Sequence, residues 1–358
     1  MTSVLVTGLA VRSAAGHGLP RLHAATTAAR PLFRPVERFP MPPAAPGAVS
    51  TAPAATLDGS PGLGALLAEV VAEARAEADC PAAPLLLALH ADERTASVIE
   101  AVDPSARVYT GACVAASTAV ADAAAAITAG RHHRVVVAAG YLVERDTYAL
   151  FDAGRALSRD GAVRPFSRDR SGLLLGDAVV AVVLESAEAV SVRGGRAIAR
   201  LAGWGRAGDA HHVCRPAPDG DGLARAGRAA LDRAGIGAAQ IGYVNANGAG
   251  STLGDRSEAN ALRALFGADT DRARVGATKS VHGHALEASA LLELAVTIGA
   301  LAAGRQLPAT AGWLGPDQDC GIRPLLAADP PPPRPPGYAL TLNAAFGGAN
   351  TALVVAAA

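Results

Sequence analysis

The sequence has 358 residues, of which 50% are hydrophobic and 18% charged, and its formal net charge at pH 7 is zero. A chain of this size can bury a large core, which predicts one large domain or two similar halves. The balanced charge provides no basic face for nucleic acid or for an anionic membrane, and no uninterrupted apolar segment reaches the roughly 18 to 20 residues of a membrane-spanning helix. These features favour a soluble protein that acts on a small or carrier-borne substrate.

The four cysteines are far apart in the sequence and show no Cys-x-x-Cys spacing. The N-terminal "MTSVLVTGLA" also lacks the basic region and long apolar run of a signal peptide. We therefore expect reduced thiols and a cytoplasmic protein. The cysteines are Cys80, Cys113, Cys214 and Cys320.

Ten short apolar runs alternate along the chain with longer segments of helical period, a pattern typical of a layered α/β protein. The runs fall into two sets of five. The first set of predicted strands comprises residues 3–11, 84–90, 106–110, 133–141 and 178–185. The second set comprises residues 197–205, 241–248, 273–280, 338–345 and 351–357.

In each set, a long apolar helix is predicted after the third or fourth strand, at 111–131 in the first and at 282–305 in the second. Both segments end in Ala-Gly-Arg, where the glycine can cap the C-terminus of the helix. This repetition predicts an internal duplication. We place the boundary between residues 190 and 197, which gives an N-terminal half at 1–192 and a C-terminal half at 193–358.

Three further segments are given structural interpretations. Residues 38–62 are rich in Pro, Ala and Gly and predict a long loop, and the proline-rich residues 329–337 predict a surface connection. The segment at 254–267 predicts a helix in which Asp255 and Glu258 fit an Asp-x-x-Glu capping pattern.

Cys113 is the candidate nucleophile. It lies directly after a predicted strand and at the first turn of a very apolar helix. The helix dipole and free N–H groups at such a position lower the pKa of a thiol. The alternative from the sequence alone is a buried structural cysteine.

Candidate partners for the thiol occur near predicted strand ends in the second half, in "VNANGAGS" and "TKSVHGH". They are Asn247, Lys279, His282 and His284. Lys279 is the single lysine of a chain that otherwise uses arginine, which suggests a site that needs a compact ammonium with three donors. Four of the five asparagines flank Gly-containing turns, so a left-handed backbone is the alternative use of those residues.

Two pairs of adjacent histidines, at 132–133 and 211–212, resemble metal ligands only superficially. Neither pair has a further Cys, His or carboxylate at ligand spacing. We expect these histidines to lie in solvated loops and predict no metal site.

Taken together, six segments in order resemble the β-ketoacyl synthases of the thiolase superfamily, the branch that elongates acyl chains on carrier proteins. The resemblance covers most of the chain and implies a thiolase-like α/β fold of two duplicated halves in a layered α-β-α-β-α arrangement. The segments are "SVLVTGLAVRSAAGHG", "TGACVAASTAVADAAAAITAGRHHRVVVAAG", "ALSRDGAVRPFSRDRSGLLLGDAVVAVVLE", "VNANGAGSTLGDRSEANAL", "TKSVHGHALEASA" and "AAFGGANTALVV".

The resemblance implies specific roles. Cys113 matches the nucleophile that takes an acyl group from a carrier-protein thioester, while Lys279 orients and charges the site and His284 meets the substrate thioester. The backbone N–H groups of Cys113 and Phe346 match the oxyanion hole, and Phe346 also matches the gate between the acyl and extender sites. Ser251, Gly347 and Gly348 are further substrate-binding candidates.

The sequence departs from the family at the first catalytic histidine, which is Asn247 here, and at two pantetheine-facing threonines, which are Ala249 and Ser251. An Asn amide can still donate a hydrogen bond to an enolate, so Cys113, Asn247 and His284 could support decarboxylative condensation. Any step that needs a base would then fall to His284. The stretch between the first strand and Cys113 is also shorter than in the family. In the family this part helps to form the acyl tunnel and the dimer interface, so the size of the pocket and the partner surface stay open.

Three functions remain open. The first is a ketosynthase that condenses an acyl-Cys113 intermediate with malonyl-carrier protein in polyketide or specialised fatty-acid biosynthesis. The second is an acyltransferase of the same fold without decarboxylation, and the third is a non-catalytic partner similar to a chain-length factor. The resemblance implies an acyl carrier protein as partner, a phosphopantetheine thioester as the presented substrate with no bound cofactor, and a homodimer or a heterodimer with a related ketosynthase, paired along the strand before Cys113.

Overall fold

All ten predicted strands form in the structure, a computed structural model that describes residues 3–39, 53–59, 61–80, 82–267 and 273–358. Much of the proline-rich segment predicted as a loop at 38–62 lies outside the described residues, whereas 329–337 has no helix or strand, as predicted. The strands are β1 (Val4–Ser13), β2 (Gly16–His17), β3 (Leu85–Ala88), β4 (Arg107–Tyr109), β5 (Arg134–Tyr141), β6 (Ala178–Ser186), β7 (Ala199–Gly208), β8 (Ile241–Asn245), β9 (Arg274–Gly276), β10 (Tyr338–Ala344) and β11 (Ala349–Ala357).

The strand order repeats between the two halves of the chain. The sheet runs β4-β3-β5-β6-β1-β7-β11-β10-β8-β9, with β2 paired only to β1. Starting from each outer edge, both halves place their third, second, fourth, fifth and first strands in that order. In both, the outer three strands are parallel and the inner pairings antiparallel, and β1 joins β7 at the centre. Division of the chain at residues 192 and 193 remains our interpretation of this repeat.

The helices complete a five-layer arrangement. α4 and α10 pack against each other and against strands of both halves, and therefore form the central layer. α2 covers β1, β5 and β6 on one outer side, and α7 covers β7 and β11 on the other. No described helix is long and apolar enough to cross a membrane. The helices are α1 (Leu19–Thr27), α2 (Leu63–Glu77), α3 (Thr95–Val102), α4 (Ala115–Thr128), α5 (Arg145–Ala153), α6 (Ala187–Val192), α7 (Asp221–Ala234), α8 (Thr252–Phe266), α9 (Lys279–His282) and α10 (Ser289–Ala302).

The two central helices are entered in the same way. Each follows a three-residue 3-10 turn whose first residue has a left-handed backbone, Ala112 with φ 51° and Leu286 with φ 42°. A non-glycine residue in this region is uncommon and strained. The second residue of the first turn is Cys113 and that of the second turn is Glu287. The duplication therefore makes a buried glutamate the counterpart of the candidate nucleophile.

The capping interpretation at 254–267 is wrong. α8 begins earlier, and its N-cap is Ser251, whose hydroxyl accepts a hydrogen bond from the Gly254 N–H at 3.2 Å. Asp255 and Glu258 are buried inside the helix, where their carboxylates accept N–H groups of the preceding loop and of Phe166. The two acids hold the loop after β8 against the helix because that loop has no strand partner for its N–H groups.

Gly176 supports the site through a close backbone contact. Its N–H donates to the His284 carbonyl at 3.0 Å, and a Cβ at this position would lie 2.1 Å from the His282 carbonyl oxygen. We expect Gly176→Ala to lower the free energy of unfolding by about 1 to 3 kcal/mol, because backbone atoms must move to relieve the clash. Denaturant unfolding would measure this. Gly208→Ala, where a Cβ meets nothing within 4 Å, is the matched control, and equal midpoints for the two variants would contradict the prediction.

Candidate active site

Cys113 lies where the sequence predicted, between β4 and the start of α4. The chain leaves β4 at Tyr109 and enters the 3-10 turn that carries the thiol. Cys113 is 8% exposed, and its turn packs against the turn that precedes α10 and against β10 and β11. This placement brings residues of the second half to the thiol.

The prediction that the helix terminus lowers the thiol pKa is wrong. Burial raises the pKa of the Cys113 thiol to about 12, and the nearby Glu287 carboxylate raises it as well. The Lys279 ammonium and the residue's own N–H oppose this shift but do not reverse it. The desolvation cost of a thiolate outweighs the favourable charges around it.

A raised pKa has a measurable consequence for thiol chemistry. Only the thiolate reacts with an alkylating agent, so we expect the alkylation rate of Cys113 to rise about tenfold per pH unit from pH 7 to pH 10 without levelling off. An unperturbed thiol would level off near pH 9. Peptide-resolved mass spectrometry after brief iodoacetamide treatment would follow Cys113, with exposed Cys214 as internal reference. A plateau for Cys113 below pH 9 would contradict the raised pKa.

Lys279 uses all three donors of its ammonium group. The amine donates to the Asn247 carbonyl at 2.8 Å, to Asn247 Oδ1 at 3.1 Å and to Glu293 Oε1 at 2.5 Å. Both charged side chains are buried, at 1% and 0% exposed. A compact ammonium satisfies three acceptors in three directions, which a planar guanidinium cannot do. The predicted reason for a lone lysine agrees with this geometry.

The Asn247 amide is held in one orientation. Its Oδ1 accepts hydrogen bonds from Lys279 and, at 3.3 Å, from the Ala344 N–H. Since the oxygen is occupied by two donors, the amide NH2 is turned away from them and makes no hydrogen bond within the described part of the chain. Asn247 therefore presents two N–H donors, and no acceptor, on its open side.

His284 is also restricted to donating. Its Nδ1 accepts the Leu286 N–H at 3.0 Å and lies 3.1 Å from the Ser289 hydroxyl. A nitrogen that accepts a backbone N–H carries no proton, so the proton of the neutral ring lies on Nε2. Burial lowers the pKa of His284 well below its usual value, and the Lys279 ammonium lowers it further. This geometry favours a donor role for His284 over the role of a base, because the unprotonated nitrogen is already occupied.

Not every polar candidate reaches the site. The His282 ring is buried and forms hydrogen bonds with the Gly283 carbonyl and the Thr278 hydroxyl. Burial lowers the pKa of His282 to about 3. No described asparagine has a positive φ, so the left-handed alternative for these residues is also wrong. Instead, Asn343 donates to the free oxygen of Glu293, and Asn350 donates to Asp209.

Of the predicted substrate-binding residues, Ser251 lies at the start of α8, and the other three lie in the turn between β10 and β11. Phe346 is 55% exposed and packs against Phe151 with ring centroids 6.3 Å apart. The Phe346 N–H has no hydrogen-bond partner among the described residues, which leaves it available as an oxyanion-hole donor. Gly347 donates to the Val213 carbonyl at 2.8 Å. Gly348 is buried, with φ 73°, and a Cβ there would lie 2.9 Å from the Asp209 Cβ.

Three buried glutamates of this region were given no role in the site by the sequence. Glu293 pairs with Lys279, Glu258 accepts the N–H groups of Asn247 and Gly248 at 2.7 Å each, and Glu287 lies beside the thiol. Burial raises the pKa of Glu258 to about 8. A single glutamate within an apolar segment does not indicate a site by its sequence pattern. Among the described residues, no group of three or more His, Cys, Asp or Glu is arranged to hold a metal ion, and the four adjacent histidines are exposed.

The fold matches known structures over the whole chain. One solved structure, described as the ishigamide ketosynthase/chain length factor, has a TM-score of 0.85, 26% sequence identity and coverage of 100% of this chain and 99% of its own. A β-ketoacyl synthase from Burkholderia phymatum matches with a TM-score of 0.85 at 23% identity and full coverage of both chains. The protein therefore has the thiolase-like fold of ketosynthases, as the sequence predicted.

Sequence comparison gives the family. The model of the β-ketoacyl synthase N-terminal domain matches residues 103–189, and that of the β-ketoacyl synthase C-terminal domain matches residues 198–313, together more than half of the chain. The chain belongs to the β-ketoacyl synthase family.

Curated relatives match over part of their length. The 3-oxoacyl-[acyl-carrier-protein] synthase 2 of Staphylococcus aureus strain COL is 36% identical over 212 residues, which cover 58% of this chain and 50% of that protein. Nodulation protein E of Rhizobium sp. strain N33 is 36% identical over 219 residues, 60% of this chain and 52% of its own. The chain thus spans about half the length of the curated relatives it matches.

Proposed function

We propose that this protein is a ketosynthase that carries an acyl group on Cys113 and condenses it with malonyl-carrier protein by decarboxylation. The observation that carries the proposal is the fixed donor pair formed by Asn247 and His284. Lys279 occupies the amide oxygen of Asn247, and the Leu286 N–H occupies Nδ1 of His284. Both side chains therefore present only hydrogen-bond donors to a substrate.

Two preorganised donors suit the chemistry of condensation. Loss of CO2 from a malonyl thioester leaves an enolate whose oxygen develops negative charge, and donors aimed at that oxygen stabilise it without reorganisation. The enolate carbon then attacks the acyl-Cys113 carbonyl, the bond to Sγ breaks, and the thiolate takes up a proton. The products are a β-ketoacyl-carrier thioester, CO2 and the free thiol. No residue has to remove a proton from malonyl, so the missing base is not needed.

The experiment is intact-protein mass measurement after incubation with acyl-carrier thioesters of several lengths and then with malonyl-carrier protein. We expect an adduct on Cys113 that disappears with release of CO2 and formation of a β-ketoacyl-carrier product. Cys113→Ala is the control and should form no adduct. An adduct that malonyl-carrier protein cannot discharge would instead indicate acyl transfer to another acceptor.

One observation favours a second candidate, a non-catalytic partner of a ketosynthase. The Cys113 thiol is buried with a pKa of about 12 and has a carboxylate beside it, a combination that opposes thiolate formation. A solved structure described as a ketosynthase/chain length factor matches the whole chain. In this case no acyl adduct would form under any condition, whereas addition of this chain to a related ketosynthase would change its product length.

The partners follow from the same proposal. The substrate would be a phosphopantetheine thioester presented by an acyl carrier protein, as in a solved complex of a type II polyketide synthase ketosynthase with its acyl-carrier protein. β4 forms one outer edge of the sheet and would pair in a homodimer or in a heterodimer with a related ketosynthase. We place the protein in the cytoplasm, in polyketide or specialised fatty-acid biosynthesis.

A further inference from the structure

Glu287 is a buried carboxylate whose second oxygen has no partner. Its side chain is 6% exposed, and Oε1 lies 3.0 Å from Nδ1 of His90. Oε2 is fully buried and makes no hydrogen bond with any described residue. A buried carboxylate oxygen without a partner destabilises the fold, so it requires an explanation.

Glu287 lies next to the turn of the thiol and bonds to a histidine that lines a cavity. Its turn packs against the turn of Cys113 and against β5, and its charge is felt at the thiol. His90, its hydrogen-bond partner, lines a cavity of about 350 Å³ at the carboxyl ends of β3 and β5. The walls of this cavity include Leu63, Leu89, Val98, Tyr141 and Leu142.

A role as the base that ionises Cys113 does not fit the charges around the thiol. A negative charge at Glu287 raises the pKa of Cys113 and disfavours thiolate. The carboxylate must therefore serve something other than thiol ionisation.

We propose that Glu287 is a specificity-determining residue that selects acyl groups carrying a hydrogen-bond donor, a hydroxyl or an amine, on the first few carbons after the thioester. This inference rests on the proposed acylation of Cys113. In that step the Cys113 sulfur forms a bond to the acyl carbon, the carrier thioester bond breaks, and the thiol proton leaves with the released carrier thiol. The attached chain then lies beside the turn of Glu287, where a donor satisfies Oε2 and an alkyl chain leaves it unpaired.

The test is a competition for Cys113 among equimolar pantetheine thioesters of octanoic, 3-hydroxyoctanoic and 3-aminooctanoic acids, followed by intact-protein mass. We expect the wild-type protein to take up at least one donor-bearing acyl group roughly 10- to 100-fold in preference to octanoyl, the range of a hydrogen bond to a charged group. Glu287→Ala should remove this preference. Glu287→Gln keeps the side-chain volume and should reduce it, which preserves the test if the alanine variant fails to fold.

Glu93→Ala is the matched control, since it removes an exposed carboxylate next to the same region and should keep the preference. Equal labelling by the three thioesters in the wild-type protein, or an unchanged preference in both Glu287 variants, would overturn the inference while acylation of Cys113 stands. Failure of all three thioesters to label Cys113 would overturn the proposed function and this inference with it.

Discussion

His284→Ala is expected to abolish condensation, with a loss of at least about 100- to 1,000-fold in the turnover of malonyl-carrier protein. In the proposed mechanism, the Nε2–H of the neutral imidazole is one of two donors to the enolate oxygen. Loss of a single oxyanion donor costs this much in enzymes that rely on preorganised hydrogen bonds. The measurement is the rate of β-ketoacyl-carrier formation from a preformed acyl-Cys113 protein.

A matched variant changes Asn247, the other donor of the proposed pair. Asn247→His places an imidazole at the second donor position, and we expect acylation of Cys113 to remain intact. In the proposed mechanism, acylation depends on the thiol and on the backbone N–H groups at Cys113 and Phe346, whereas condensation depends on the donors of Asn247 and His284. Full condensing activity in His284→Ala would refute the assignment, as would loss of acylation in Asn247→His in a protein that remains folded.

The fold was readable from the sequence because its signals are local. Apolar runs of strand length and two long helices ending in Ala-Gly-Arg repeat in the same order, and the structure places them in the same strand order in both halves. Short β2 has only two residues and no apolar run, so nothing in the sequence indicated it. The start of α8 was misplaced because Asp255 and Glu258 form a capping pattern by spacing alone, while the N-cap contact is made by Ser251.

The site was only partly readable. The positions of Cys113, Asn247, Lys279 and His284 follow from motifs, but the thiol pKa depends on burial and on Glu287, which lies far away in sequence. Whether a histidine acts as donor or base is decided by the hydrogen bond on its other nitrogen, which no sequence pattern encodes.

One signal for Glu287 was present in the sequence. When the two Ala-Gly-Arg ends are superimposed, the residue opposite Cys113 is Glu287, a carboxylate at the entrance of a mostly apolar helix. The duplication that predicts the fold therefore also sets the two helix starts side by side. An internal repeat thus locates functional differences as well as domain boundaries.

Lys279→Met is expected to cause the largest loss of stability among single changes at the site, about 3 to 5 kcal/mol in the free energy of unfolding. The substitution removes three hydrogen bonds and leaves the Glu293 carboxylate buried without its cation. A buried charge that loses its partner costs this amount because it cannot be hydrated. Denaturant unfolding at pH 7 would measure the change.

A double variant separates stability from chemistry. Adding Glu293→Gln to Lys279→Met removes the unpaired charge while keeping an acceptor for Asn343, so we expect most of the lost stability to return. Condensation should stay low in the double variant, because Asn247 Oδ1 is no longer held by the ammonium and the amide can turn over. Recovery of both stability and condensation would mean that Lys279 serves the fold alone.

Lys279→Arg keeps the charge and tests the geometry. The three acceptors around Nζ, two on Asn247 and one on Glu293, lie within 3.1 Å of a single atom. A guanidinium spreads its donors over a plane and needs more volume than a fully enclosed pocket offers, so it cannot meet the same acceptors without displacing Asn247. We therefore expect condensation in Lys279→Arg to fall as far as in Lys279→Met, with a smaller loss of stability because Glu293 keeps a cation. In a chain that uses arginine at every other cationic position, this difference would account for the one lysine.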